Sequence, residues 1–544
     1  MATPFSYLEF RMSKTSPSHF FNYSASKKLQ ELAKHPLDLT KELTPERVTQ
    51  YVAEAGGFKL LYGTERVTND VLAALKQLSE ESHALDKMNR MQDGEVMNFI
   101  EKFPSENRPV LHTAARDLFD YPRTAKKAQE AAQLAKAELE KLRQFLEKND
   151  QDYHFTDLVT VAIGGSDLGP RAHYHALEHL LKPGHHVHFI SNVDPDDVAG
   201  VFRKIPDLKK TLVVVVSKSG TTLETATNEE LVREKFRQAG LDPKKHFVSI
   251  TMPGTPMDNQ EQYLKTFYMW DWIGGRYSTT SMCGALMLSF AFGINTFWEF
   301  LKGAHEMDRI ALENNLNKNL PLLAALLGIW NRNFLDYPTV ALIPYSQALL
   351  RYTAHIQQVD MESNGKHIDQ QGIMTNFHTG PIIWGEPGTN SQHSFFQLIH
   401  QGTATVPVSI IAFKENLYGE DLEFQGTTSQ EKLLSNLFAQ SLALATGQIS
   451  ENPNKTFLGN RPTNILLAKK LTPYTLGALL SFFENKVAFQ GFIWGINSFD
   501  QEGVQLGKVL ANRLINEFAN QRKKTKPSSF AIGEAYLKHL DHFS

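Results

Sequence analysis

The stretch VVVVSKSGTTLETATNEE, Val213–Glu230, passes from four consecutive valines into a loop of hydroxyls, one glycine and one lysine, and then into helix-forming residues. The valine run is too short for a helix and is β-branched throughout. It reads as a strand covered on both faces, as in a parallel sheet. Glu224 to Gln238 has helical composition and stops near Gly240. The unit is therefore strand, tight loop, helix. In such a unit the loop lies at the carboxyl end of the strand, where open α/β sheets bind ligands. The free N–H groups of the helix start carry roughly half a positive charge in effect. Ser and Thr hydroxyls add donors, and Gly220 allows the backbone to approach closely. These features suit an anion such as phosphate. The same residues also suit an ordinary turn capped by Thr222, and the loop alone leaves both readings open. It is not a Walker A loop, because G-x-x-x-x-G-K-[ST] is absent.

Working outward, the 544 residues correspond to three or four domains of ordinary size or to two large ones. Hydrophobic residues at 42% and charged residues at 21% are an ordinary globular composition. A net charge of −3 points to neither a nucleic-acid nor a membrane partner. The basic run at Arg522–Lys526 reads as a solvated helix terminus. The single cysteine, Cys283, rules out a disulfide within the chain and a cysteine-ligated zinc site. It sits in SMCGALMLSFAF and reads as a small buried hydrophobe. The N-terminal MATPFSYLEFRMSK has no continuous apolar segment of the signal-peptide kind. Apolar runs such as LPLLAALLGIW are too short to span a membrane. A cytoplasmic protein is expected.

No repeat or low-complexity segment is present. Residues 1–121 read as largely helical. Residues 123–148 form one amphipathic helix, with Ala128, Ala131, Ala135, Leu139, Leu142 and Leu146 on its apolar stripe. From residue 156, TDLVTVA, HHVHFIS, TLVVVV and HFVSITMP alternate with helical segments, which predicts a doubly wound parallel sheet. After residue 293, long helices precede YPTVALIPYS, TGPIIWGEPG and VPVSIIAFK, a second α/β unit. From Gly507 the chain reads as helices with a turn near Lys526-Pro527.

The strand of AIGGSDLGP also ends in a small-residue loop. Gly164, Gly165 and Gly169 fail the dinucleotide fingerprint, but Gly165 and Ser166 can bring backbone close to a ligand. Two such loops on neighbouring strands would surround one small phosphorylated molecule, which favours the phosphate reading. HALEH, His175–His179, has the spacing of a helical zinc pair, but no third ligand accompanies it and it starts one turn into an ordinary sheet-packing helix. Glu362 lies among Gln357, Gln358, Asp360, Lys366 and His367. His393 follows a Gly/Thr/Asn/Ser/Gln loop, and SFDQEGVQLGK carries Gln501 and Lys508. Each of these alone has an ordinary structural explanation.

Taken together, IGGSDLG (163–169), SKSGTTLET (217–225), GGRYS (274–278), QQVDMESNGK (357–366), GTNSQHSFFQLIHQGT (388–403) and FDQEGVQLGK (499–508) resemble the glucose-6-phosphate isomerase family. The stretches run in order across about two thirds of the chain. The resemblance implies two sugar-isomerase-type αβα domains with the active site between them. One would comprise residues 1–121 and 293–508, the other 122–292 with the phosphate loop, and 509–544 would form a C-terminal helical arm. It also implies a homodimer in which each subunit lends a histidine to the other's site, and no cofactor or metal.

By the same resemblance, Ser217, Lys218, Ser219, Gly220, Thr221 and Thr222 bind the sugar's phosphate, and Gly165, Ser166, Gln358 and Gln501 contact the substrate. Glu362 is the base that moves a proton between carbons 2 and 1. Arg276 is the cation near the enediolate oxygen. His393 and Lys508 open the sugar ring, and Glu224 orients His393. Ser219-Gly220 replaces the bulkier pair of many animal members while keeping the hydroxyl pattern.

The residue types suit an aldose–ketose shift between glucose 6-phosphate and fructose 6-phosphate, a step of glycolysis and gluconeogenesis. One carboxylate can take and return the proton on one face of a cis-enediolate. An arginine can stabilise the oxygen charge, and a histidine near neutrality suits ring opening. Two alternatives stand beside this activity. One is a dual isomerase that also takes mannose 6-phosphate. The other is a non-catalytic sugar-phosphate sensor, which would need the loop but not Glu362, Arg276, His393 and Lys508 together.

Overall fold

Two sheets carry the architecture of the chain, a computed structural model that describes residues 19–523 and 530–542. The strands of these two sheets are, in chain order, β1 (Val52–Ala55), β2 (Phe58–Leu61), β3 (Asp157–Val161), β4 (His186–Ile190), β5 (Thr211–Val216), β6 (Phe247–Thr251), β7 (Lys265–Tyr268), β8 (Thr339–Tyr345), β9 (Ile382–Trp384), β10 (Val408–Phe413) and β11 (Thr463–Ala468). One sheet has the order β4-β3-β5-β6-β7 and is parallel throughout. The other runs β1-β2-β11-β10-β8-β9. Its β11, β10, β8 and β9 are parallel, and the β1–β2 hairpin adds antiparallel to β11.

The valine strand behaves as its sequence implies. All six residues of β5 are buried. Val213 and Val215 pack with Val159, Val161, Val232 and Phe236 in one apolar cluster. Each such side chain contributes about 1.5–3 kcal/mol of burial. The helix after it runs from Leu223 to Gln238, and Gly240 ends the turn with φ +72°. Met282–Phe292 is buried on every side, Cys283 included, and burial pushes that thiol's pKa up.

The amphipathic helix spans Lys126–Lys148 and buries Ala128, Ala131, Ala135, Leu139 and Leu142. Leu146 is only half-buried. Phe145 takes the inward position instead, its ring 5.6 Å from that of Phe267. Residues 1–121 are not as helical as expected. The β1–β2 hairpin turns on Gly56 and Gly57, both at positive φ, where glycine carries no steric penalty. The strands β7 and β11 are further additions to those read from the sequence.

The chain divides into two compact units, Met1–Ser498 and Phe499–Ser544. The boundary expected at 508/509 falls within the Gln505–Lys523 helix. Arg522 and Lys523 end that helix and are exposed. The turn expected at Lys526-Pro527 and the N-terminal residues 1–18 lie outside the described residues. Among the described residues, no helix is long and apolar enough to cross a membrane.

The helices Ile294–Ile310 and Pro473–Trp494 cross at glycines. A Cβ on Gly303 would sit 1.8 Å from the Tyr474 carbonyl oxygen, and one on Gly477 would sit 1.8 Å from that of Phe300. A buried ionic cluster lies between these helices and the turn His112–Arg116. Arg116 donates to both carboxylate oxygens of Asp308, at 2.6 and 2.8 Å, and to Glu484 at 2.6 Å.

His305, on the first of these helices, faces two acceptors. Its Nδ1 is 3.2 Å from a carboxylate oxygen of Asp117, and its Nε2 is 3.0 Å from the Asp120 carbonyl. Neither partner can donate, so the setting favours an imidazole protonated at both ring nitrogens. Burial opposes that charge, but the two acceptors outweigh it and hold the pKa above its ordinary value. The clasp therefore stabilises the fold fully below the unfolded-state pKa of about 6.5, and its contribution is lost as pH rises through the folded value. The stability deficit of His305→Gln, measured by denaturant midpoint, should be larger at pH 6 than at pH 9. An equal deficit at both would show that the ring is not charged.

Candidate active site

The loops after β3 and β5 share one crevice because of the strand order. The chain lays β4 on one side of β3 and then crosses to place β5 on the other, and β3 and β5 are adjacent and parallel, with Val161 opposite Val215. Their carboxyl ends form the reversal point at which doubly wound sheets hold ligands.

In the loop after β5, Ser217 Oγ lies 3.0 Å from Thr222 Oγ1. Thr221 donates from its amide and its hydroxyl to Ser219 Oγ at 3.3 and 2.9 Å. Gly220 has φ +68°, and an added Cβ would meet Thr255 at 3.0 Å. Thr222 occupies the N-cap of the Leu223–Gln238 helix but makes no capping hydrogen bond. The first-turn amides thus keep their donors for another acceptor. Lys218 donates instead to the carbonyls of Asp271 and Ile273, both at 2.9 Å. Burial pushes its pKa down to about 8. Its ammonium ties the loop to the segment that leads into Gly274–Ser278.

The glycine loop after β3 presses against that same segment. Gly164 has φ +60°. A Cβ on Gly165 would lie 2.2 Å from the Gly275 carbonyl carbon and 2.5 Å from the Arg276 nitrogen, so only glycine fits. Ser278 Oγ donates to the Gly165 carbonyl at 3.3 Å. Ser166 is half-buried beside it.

Glu362 ends a π-helical turn, Gln358–Glu362, that continues the Tyr352–Gln357 helix. Such turns re-aim side chains and recur at functional sites. Gln358 Nε2 donates to Glu362 Oε2 at 2.8 Å. Arg276 Nη1 faces Glu362 Oε1 at 3.1 Å. The arginine also donates from Nε to Ser363 Oγ and from Nη2 to the Ser498 carbonyl, each at 2.6 Å. Arg276 is 1% exposed, whereas the Glu362 side chain is 25% exposed. A buried, pre-aimed cation therefore stands beside a carboxylate that a ligand can still reach. Two residues earlier, Asp360 is fully buried, which raises its pKa, and it pairs with Lys486 at 3.4 Å.

His393 closes the turn Asn390–His393. The turn is held to the end of β8, because Gln392 Nε2 donates to the Tyr345 hydroxyl at 2.7 Å. His393 itself is exposed, and it has no hydrogen bond or ion pair with Glu362, Arg276 or Glu224 among the described residues. The HALEH segment does not assemble a metal site. His175 Nδ1 pairs with Glu178 at 3.2 Å. No group of three or more His, Cys, Asp or Glu residues among the described ones is placed to hold a metal ion.

A family model described as phosphoglucose isomerase matches residues 61–532. The chain belongs to the phosphoglucose isomerase family. It is 98% identical over 537 residues to a glucose-6-phosphate isomerase of Protochlamydia amoebophila (strain UWE25), covering 99% of this chain and all of that one. A Chlamydia pneumoniae glucose-6-phosphate isomerase is 52% identical over 498 residues, 91% of this chain and 94% of its own. A crystal structure of the Chlamydia trachomatis glucose-6-phosphate isomerase superposes with a TM-score of 0.92 at 48% identity, covering 96% of this chain and all of that one.

For a phosphoglucose isomerase family member, the structure gathers part of the expected residue set. Gly165 abuts the Arg276 backbone, Arg276 meets Glu362, and Gln358 meets Glu362. The hydroxyls of Ser217, Ser219, Thr221 and Thr222 share one loop. Gln501 precedes the short turn Glu502–Val504, and Lys508 is exposed on the Gln505–Lys523 helix. Both lie in the second unit, so their roles are those the resemblance implies. Two neighbours of Arg276 escaped the sequence reading, Ser363 and Tyr277. Each directly follows a singled-out residue, and adjacency was the available signal.

Proposed function

We propose that this chain interconverts glucose 6-phosphate and fructose 6-phosphate as a cytoplasmic homodimer with shared active sites, in glycolysis and gluconeogenesis. The observation that carries the reading is the Arg276–Glu362–Gln358 group set beside a hydroxyl loop at a sheet reversal point. The loop holds the 6-phosphate through Ser217, Ser219, Thr221, Thr222 and the free amides of the helix start. Glu362 removes the proton from carbon 2 and returns it to carbon 1. Arg276, already desolvated, stabilises the charge that builds on the enediolate oxygen, where low local dielectric makes a fixed cation most effective. Gln358 steadies the second carboxylate oxygen and contacts the sugar with Gly165, Ser166 and Gln501. His393 and Lys508 open the ring, with Glu224 orienting the histidine.

A coupled assay on fructose 6-phosphate, with and without chelator, tests the activity, and turnover should be the same in both. Ser217→Ala or Thr222→Ala should weaken substrate binding by about 1–3 kcal/mol, the usual cost of a hydrogen bond to a charged group. Equal turnover of glucose and its 6-phosphate would overturn the phosphate cradle.

The exposed His393 supports donation to a second copy. Beside it, Leu398, Phe438, Leu442, Ile449 and Leu458 are exposed on elements tied together by His400–Gln440 and by Gln401 to Asn454 and Thr456. Such an apolar face suits an obligate partner. Mixing Glu362→Gln with His393→Ala subunits is the test. If the histidine acts across the dimer, a mixed dimer has one doubly defective site and one intact site, and up to half of normal activity per dimer should return. No recovery despite proven subunit exchange would place both residues in one chain's site.

A further inference from the structure

Arg276 is fully buried, and Ser363 is among the groups that orient it. Ser363 Oγ accepts from Arg276 Nε at 2.6 Å and lies 2.8 Å from the Tyr277 hydroxyl. Ser363 is 0% exposed and Tyr277 1%. The Tyr277 ring is stacked on His112, with centroids 4.6 Å apart and planes 21° from parallel. The phenol is thereby fixed, the phenol fixes the serine hydroxyl, and the serine fixes the guanidinium. Ser363 also follows Glu362 directly in the chain. One short segment therefore carries both the carboxylate and the anchor of the cation opposite it.

The arrangement matters because the cation has two duties that compete in time. Before the reaction it faces the Glu362 carboxylate at 3.1 Å. Once Glu362 takes the proton, its hold on Arg276 weakens, and the charge is needed at the enediolate oxygen. A guanidinium held only by the glutamate would shift at that moment. One also held by Ser363 and the Ser498 carbonyl stays in place. We propose that Ser363 and Tyr277 are positioning residues that hold Arg276 at a set distance from Glu362 and so keep the cation aimed at the reacting oxygen through the proton transfer. This rests on the reading of Glu362 as the base.

The other charged groups packed around this point already have partners. Asp360 pairs with Lys486 at 3.4 Å, Glu484 pairs with Arg116 at 2.6 Å, and burial keeps His112 neutral with a pKa of about 3.

The test uses Ser363→Ala, Tyr277→Phe and their double variant in the full dimer, with kcat, KM and the pH profile of kcat measured on fructose 6-phosphate. Tyr277→Phe keeps the ring on His112 and removes only the hydroxyl, so it carries the test if Ser363→Ala fails to fold. Each single variant should lower kcat about 10- to 100-fold, the scale of a small misplacement, with KM within about two-fold. The acid limb of the profile should move, because the cation no longer keeps its set distance from the base, and a simple loss of folded protein would not move it. The double variant should resemble Ser363→Ala, since both residues act through one hydroxyl. An unmoved acid limb, or independent losses that multiply in the double variant, would overturn the proposal. Failure of the base assignment is read separately. If Glu362→Gln keeps its turnover, the underlying reading falls; if it is inactive while these variants keep the wild-type profile, only the positioning role falls.

Discussion

Glu362→Gln should lower turnover by about 10²–10⁴-fold, the usual range for a lost general base, while substrate affinity changes little. The substitution keeps the size and nearly the shape of the side chain. An amide cannot take a proton from carbon, so the chemical step loses its acceptor. The amide oxygen of the variant can still accept a hydrogen bond from Arg276, and the hydroxyl loop after β5 is untouched. The expected signature is a fall in kcat and kcat/KM together, with binding of a non-reacting sugar phosphate unchanged. His393→Ala should separate from it, harming turnover of the closed-ring sugar more than that of an open-chain analogue. Retention of activity in Glu362→Gln would exclude the glutamate as the base.

Arg116→Met should destabilise the fold by about 3–5 kcal/mol, the cost of removing one partner of a buried ion pair. Arg116 is 0% exposed, and it bridges two carboxylates of which Asp308 is 6% and Glu484 0% exposed. Asp308 is further held by Ser481 at 2.8 Å and Asn485 at 2.9 Å, so it cannot turn toward water. Without the arginine, both acids are buried next to each other with no cation. Glu484 already sits close to neutrality, since burial has pushed its pKa up to about 7. It would protonate first and absorb part of the cost. Arg116→Met combined with Asp308→Asn and Glu484→Gln should recover much of the loss, because the triple variant leaves no unpaired charge. Urea unfolding of the three proteins reads this directly. A loss below about 1 kcal/mol for Arg116→Met, the range of an exposed pair, would contradict the picture of a dry, mutually dependent cluster.

The doubly wound sheet was legible because parallel strands buried on both faces are largely apolar, and β5 carries an unbroken valine run while β3 and β6 are mostly apolar with a few polar residues, all three buried at every position. Their loops were legible as well, since close approach needs glycine and anion binding needs hydroxyls. What escaped were elements whose burial comes from a distant partner. The hairpin β1–β2 carries a Gly-Gly turn that reads as a hairpin signal, but its strands are short and mixed, and they are completed by β11 some 400 residues later. The strand β7 lies at a sheet edge, exposes Lys265 and has little apolar pattern. Leu146 was misread because Phe145, one position away, has the larger ring and takes the inward place.

The candidate site divides the same way. Local chemistry suggested an anion-suited loop at 217–222 and a close backbone approach at Gly165, while the choice of Glu362 and Arg276 came from the family resemblance. Two facts follow from long-range packing. The Lys218 ammonium reaches the carbonyls of residues 271 and 273, both at 2.9 Å, because packing brings that distant segment within its reach. Arg276 and Glu362, distant in the chain, meet at 3.1 Å because Gly165 admits the Arg276 backbone on one side and a π-helical turn re-aims Glu362 on the other. A hydroxyl, a glycine or a carboxylate is a property of one residue and can be read from the chain. A distance between two charges is a property of every layer packed between them, and no local pattern encodes it.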